Sequence, residues 1–164
     1  MVLPKIQTYR DLDRLSGFLD KAIKKTFVVD AGRVAPCRWR SYDYEFVDGV
    51  WRLHDTSIGF REFGGQQVVY HEGDPVWEMG YHGMIRNTSF PEEKIMGFLK
   101  RALFNRDQIL NMPRGPALYI EPGKKWKYTN KSDGQLDEFI GREQILIADD
   151  IAYIMNYHGG LLLE

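Results

Sequence analysis

The chain has 164 residues with 22 Lys+Arg against 23 Asp+Glu, a formal net charge of -1. That length can bury the core of one domain, and the near-neutral balance gives no global field for nucleic acid or an anionic membrane, which disfavours a dedicated nucleic-acid binder. Cys37 is the single cysteine, which excludes an internal disulfide and a two-thiol zinc site and fits a reducing compartment; Met1 to Arg10 holds no apolar run for a signal or a span, so the cytoplasm is expected and a membrane is not.

Taken along the chain, Leu12, Leu15, Leu19, Ala22 and Ile23 recur at three- and four-residue steps and predict a first helix, with Thr8 as its cap and Asp11 three residues on. The period then changes to two. Tyr42 to Val47 and Val50 to Asp55 read as a hairpin around Asp48-Gly49, and Gln67 to Tyr70 with Val76 to Tyr81 as a second around Glu72-Gly73-Asp74. Ser89, Pro91 and Glu92 announce a second helix whose buried stripe is Ile95, Phe98, Leu99, Ala102 and Leu103. Ala117 to Glu121 and Trp126 to Asn130 around Pro122-Gly123, then Glu143 to Ile147 and Ile151 to Tyr157, complete the strands.

The chain also matches itself. Tyr44, Trp51, Asp55, Ser57 and Gly59 align with Tyr119, Trp126, Asn130, Ser132 and Gly134 at a shift of 75; Glu62, Phe63, Gly65, Val69, Met79, Tyr81, His82 and Gly83 align with Glu138, Phe139, Gly141, Ile145, Met155, Tyr157, His158 and Gly159 at 76. The expectation is a single α+β domain over 1–164, a tandem duplication (approximately 8–86 and 88–164) of a helix-plus-four-strand antiparallel unit about a pseudo-twofold axis. Stacked sheets and a barrel both satisfy it.

Phe63-Gly64-Gly65-Gln66-Gln67-Val68-Val69-Tyr70, Pro75 to Gly83, Arg114-Gly115-Pro116 and Tyr157-His158-Gly159-Gly160 resemble a bacterial family catalogued as a domain of unknown function. Its members occur alone or fused behind the helix-turn-helix of phage-repressor-like (XRE-type) transcription regulators. The resemblance covers most of the chain, assigns no catalytic residue, and implies a sensor whose reader is absent here, because the first helix begins within ten residues of Met1. Gln67 stands where the pattern has an acid, whereas Glu143 keeps one.

Tyr81-His82-Gly83 and Tyr157-His158-Gly159 are the most suggestive constellation: two imidazoles brought to one cleft serve as acid–base groups or metal ligands. The same triplets also suit strand ends, with Tyr packing and Gly bending. Glu62 and Glu138 are candidate paired carboxylates, or surface acids at strand entrances. Asp55 and Asn130 suit turns. His54 or His71 with Asp55 offers metal ligands but lacks a recognised metal spacing, so no metal and no cofactor is expected. Cys37 beside Arg38 and Arg40 has no evident partner base. Arg33, Arg38 and Arg40 with Trp39 and Tyr42 form a small basic-aromatic patch. Arg114 can clamp an anion or satisfy a helix end.

These residues favour a small-molecule-binding, sensor-like domain with its ligand between the two repeats, contacted by Tyr81, Tyr157, Trp77, Trp126 and Arg114. The alternatives are an enzyme of unassigned reaction using His82 and His158 with Glu62, Glu138 or Glu143, and a protein-interaction module docking through edge strands.

Overall fold

The computed structural model describes residues 9–86, 89–106, 112–123 and 125–162. Nine strands, β1 (Arg33–Val34), β2 (Tyr42–Asp48), β3 (Trp51–Gly59), β4 (Glu62–His71), β5 (Asp74–Ile85), β6 (Leu118–Ile120), β7 (Trp126–Gln135), β8 (Glu138–Ile147) and β9 (Asp150–Leu161), form one antiparallel sheet in the order β1-β2-β3-β4-β5-β9-β8-β7-β6. Among the described residues two helices accompany it, α1 (Tyr9–Ile23), extended by a π-helical turn over Lys24–Val28, and α2 (Glu92–Phe104).

This corrects the expected fold class. The protein is mainly β, not a duplicated helix-plus-four-strand α+β unit. The reason lies at β5 and β9. Each is long enough that its outer backbone groups need partners, and the two pair with each other from Trp77↔Leu161 to Ile85↔Tyr153. All nine strands therefore share one hydrogen-bonded ladder, which is neither a pair of stacked sheets nor two separable units. The strands also run longer than their turn signals implied, because β3 and β4 continue to a tight reversal at Phe60-Arg61.

The first hairpin turns one residue later than expected. Asp48 pairs with Trp51, leaving Gly49-Val50 as the turn, with the positive φ it needs supplied by Gly49 at 62°. At the β8–β9 turn, Ala148 and Asp149 both adopt positive φ, 50° and 72°, without glycine. Thr8 lies outside the described residues. The cap of α2 is Pro91, with no side-chain cap bond, rather than Ser89; its fixed φ suits that place, and Glu92 and Glu93 offset the positive end of the helix dipole.

Strand alternation gives the sheet two faces. Leu53, Val69, Trp77, Met79, Tyr128, Ile145, Tyr153, Met155 and Tyr157 point inward and are buried with Leu15, Leu19, Phe98 and Leu99 of the helices. Phe18 of α1 packs on Phe46 and Trp51, and Phe98 of α2 on Tyr119 and Trp126. Arg106, just after α2, is buried and ties the parts together: it donates to the carbonyls of Ser16, Met112 and Arg114. Each fully buried Leu or Phe contributes about 1.5–3 kcal/mol, so the helices are held mainly by this cover. No helix among the described residues is long and apolar enough to cross a membrane.

Candidate functional site

Not every inward position is apolar. Asp55 and Ser57 on β3, Gln67 on β4 and Tyr81 on β5 form one polar cluster; Asn130 on β7, Glu143 on β8 and Tyr153 and Tyr157 on β9 form another. Register explains each cluster, since Asp55 faces Gln67 and Asn130 faces Glu143 across their strand pairs. Glycine lets a phenol lie across the intervening strand. A Cβ at Gly65 would collide with the Tyr81 hydroxyl, and one at Gly141 with the Tyr157 ring. Tyr81 thereby donates to Asp55 Oδ1 at 2.7 Å, and Tyr157 to Asn130 Oδ1 at 2.6 Å.

The second cluster is closed. Glu143 is 0 % exposed and accepts from Arg114 Nη2 at 2.8 Å and Nε at 3.2 Å, and from the hydroxyls of Tyr128 and Tyr153, each at 2.8 Å. Both carboxylate oxygens are saturated, and the charge is matched by a fork-shaped cation. The Glu143 carboxylate in turn raises the guanidinium pKa of Arg114, against the opposing effect of burial.

The first cluster is open. No Lys or Arg among the described residues hydrogen-bonds Asp55; it accepts from Tyr81 and from Gln67 Nε2 at 2.8 Å. Burial raises its pKa, more than those two bonds and the charge of Arg114 lower it. Gln67 is 4 % exposed, and its Oε1 has no hydrogen-bond partner among the described residues. A buried amide oxygen without a partner costs about 1–3 kcal/mol. Both side chains line a cavity of about 260 Å³ between the sheet and the helices. Phe63, Tyr81, Tyr153 and Met155 wall it, Phe27, Met96 and Leu99 roof it, and Arg33, Tyr42, Tyr44 and Phe60 stand at its mouth. At that mouth the Arg33 guanidinium lies 5.3 Å from the Tyr44 ring centre.

Of the residues expected to contact a ligand, Tyr81 and Arg114 line this cavity, whereas Tyr157 and Trp77 are buried in the core beside it. Trp126 is half-buried against Phe90 and Phe98. His82 and His158 are exposed on the outer face, His82 opposite Asn156 and His158 opposite Gly80. Glu62 and Glu138 are exposed on that face as well. Glu143 is the buried centre of the closed cluster. His54 alternates to the outer face and Asp55 to the inner, so those two do not share a ligand.

The phenols make a pH prediction. Burial, chiefly, raises the pKa of Tyr81, Tyr128 and Tyr153 well above the ordinary value and that of Tyr157 to about 12. A folded-state pKa above the unfolded one stabilises fully below about pH 10, and the contribution is lost as pH climbs towards the folded value. In an alkaline titration of the nine tyrosines, followed by phenolate absorbance and far-UV circular dichroism, these four should ionise only as the helix and sheet signal disappears. Ionisation of all nine in one early step with the fold intact would contradict this.

Residues 55–162 match the family described as a domain of unknown function (DUF5680). The chain belongs to this family. The match begins at Asp55, the acid of the open cluster, and spans both clusters and the whole of β4 to β9. No curated protein and no solved structure matches the chain.

Proposed function

We propose that this DUF5680 protein binds a small organic ligand in the cavity over β3, β4 and β5, through N–H groups donated to Asp55 and Gln67 Oε1 and an aromatic body packed between Phe63, Tyr81 and Tyr153. The observation that carries this is the buried Gln67 Oε1, without a partner among the described residues, beside a carboxyl that none of their Lys or Arg side chains hydrogen-bonds. The four-bonded Glu143 of the neighbouring cluster supports it by contrast, because both of its carboxylate oxygens are satisfied within the protein. The two acceptors select an amine, amide or amino-heterocycle over a carboxylate or phosphate. The volume lies just below the ~300–1,000 Å³ typical of drug-sized sites, so the ligand is compact.

The role is sensor-like. Its support is the resemblance to a bacterial family that also occurs fused behind XRE-type helix-turn-helix units, and the single cysteine and near-neutral charge fit a cytoplasmic setting. A ligand that binds the folded chain alone at 100 times its dissociation constant adds about 2.7 kcal/mol to stability.

The test is thermal unfolding of wild type and Asp55→Asn against compact aromatic amines and amides and their N–H-free isosteres. Raised folded-state pKa means that Asp55 stabilises below its unfolded pKa of 3.8 and loses that contribution as pH rises. Asp55→Asn removes the charge that burial disfavours, so its stability relative to wild type should rise between acid and pH 7. The variant should also lose the shift given by N–H donors. Equal shifts for donors and isosteres, or shifts unchanged in Asp55→Asn, would sink the proposal.

A further inference from the structure

A second constellation lies on the opposite, solvent-facing side of the sheet. The β2–β3 register sets Glu45 opposite His54 and Asp43 opposite Thr56, so the side chains of Asp43, Glu45, His54 and Thr56 share the outer face. The loop before β2 brings Cys37 over them: Arg38 donates from its backbone N–H to Ser41 Oγ at 3.1 Å and from Nη2 to Thr56 Oγ1 at 3.2 Å, and Cys37 Sγ stands 3.5 Å from the same threonine oxygen. One thiol, one carboxylate and one imidazole, each with a ligand atom, then lie within 4.8 Å of one another.

We propose that Cys37, Asp43 and His54 form a binding site for a divalent transition metal of the zinc class. Thiolate, imidazole and carboxylate together suit zinc, whereas calcium and magnesium take oxygen ligands alone. Four-coordinate zinc with bonds of about 2.0–2.3 Å sets its ligand atoms roughly 3.5 Å apart. His54 Nε2 and Asp43 Oδ2, now 2.7 Å apart, need to spread slightly, and the Cys37 thiol to swing inward. Cys37 is exposed on a loop, so that rotation meets little resistance.

The outer partners already orient the ligands. Ser41 Oγ donates to Asp43 Oδ1 and leaves Oδ2 facing His54. Without metal the 2.7 Å contact with the Asp43 carboxylate requires a proton on His54 Nε2; metal binding displaces it, and Glu45 Oε1, 3.6 Å from Nδ1, stands beside the Nδ1 proton that the metal-bound ring keeps, as in carboxylate–histidine–metal arrangements. Binding releases the thiol proton to solvent and clears His54 Nε2 of its proton, leaving the ring with a single proton on Nδ1, and the thiolate and carboxylate neutralise the dication. The fourth position, on the exposed side, is filled by water. A lone cysteine excludes a multi-thiol centre but not this mixed one.

The test is a Co2+ titration of the full chain under reducing conditions, followed by absorbance, with Zn2+ as competitor. The expected result is a thiolate-to-cobalt charge-transfer band with tetrahedral d–d bands, reversed by zinc. Cys37→Ser should lose the charge-transfer band while keeping its circular dichroism, since the side chain is exposed. His54→Gln should weaken cobalt binding more than Glu45→Gln, and Glu45→Gln should weaken it about 10- to 100-fold, the usual effect of removing an orienting partner. Absence of the band in wild type, or its survival in Cys37→Ser, would overturn the proposal. Unchanged affinity in His54→Gln would do the same, and would leave His54 and Asp43 as an ion pair alone.

Discussion

Glu143→Ala is expected to cost about 3–5 kcal/mol of folding stability, the penalty for leaving one member of a buried ion pair alone. The acid is wholly buried, and its removal orphans the Arg114 guanidinium and the hydroxyls of Tyr128 and Tyr153 together. Neither phenol has room to turn to solvent, being 0 % and 1 % exposed. The reciprocal Arg114→Ala strands the carboxylate and should cost a similar amount. A pair of apolar replacements, Arg114→Met with Glu143→Leu, removes both charges and should cost much less than the sum of the two single changes, because the desolvation penalty of the pair disappears with it. Urea unfolding of the three variants and wild type measures all four terms. Additive losses would show that Arg114 and Glu143 are not coupled, contrary to their paired bonds.

Eight of the nine described strands, the two helices and most of the turns were legible in the sequence because each rests on local signals: apolar steps of three and four, alternation of two, and Gly beside Asp or Glu; β1, two residues long, carries no such signal. The fold class was not. Nothing local in Trp77 to Ile85 or Tyr153 to Leu161 says that these two stretches pair with each other, and without that pairing the self-match invites two separate units. The one-residue error at the Asp48-Gly49 turn was harmless for faces. Moving a two-residue turn by one place shifts partners by two positions, which keeps Asp43 and His54 on the same side.

The cavity was partly legible too. Asp55 and Gln67 stand in phase with the apolar Leu53 and Val69, and a polar residue at an inward position is a stronger sign than its residue type. By sequence alone Asp55 suits a turn, because the strand signal of Val50 to Asp55 ends there. His82 and His158 drew attention by matching each other, but they alternate with Tyr81 and Tyr157 and so face away from the cavity. Matching marks a shared register; it does not say which face is wet.

Trp77→Ala is expected to cost about 3–5 kcal/mol, the range for truncating a buried Trp or Phe. Trp77 is 0 % exposed, stacks on Phe139 with ring centres 5.6 Å apart, and donates its indole N–H to the Leu136 carbonyl at 3.0 Å. Leu136 sits in the β7–β8 turn, so this one side chain joins β5 to the far hairpin across the inner face. Trp77→Phe separates the two contributions. It keeps much of the stacking and loses the hydrogen bond, leaving the buried carbonyl without its donor at a cost of about 1–3 kcal/mol. The tryptophan also stood among the expected ligand contacts, and the two roles predict different outcomes. A core role requires Trp77→Phe to retain the ligand-induced stabilisation of the cavity in full, with both variants ranked by their urea midpoints. A Trp77→Phe variant as stable as wild type but blind to the cavity ligand would instead make Trp77 part of the binding site, and would move the ligand towards β9 and away from Asp55.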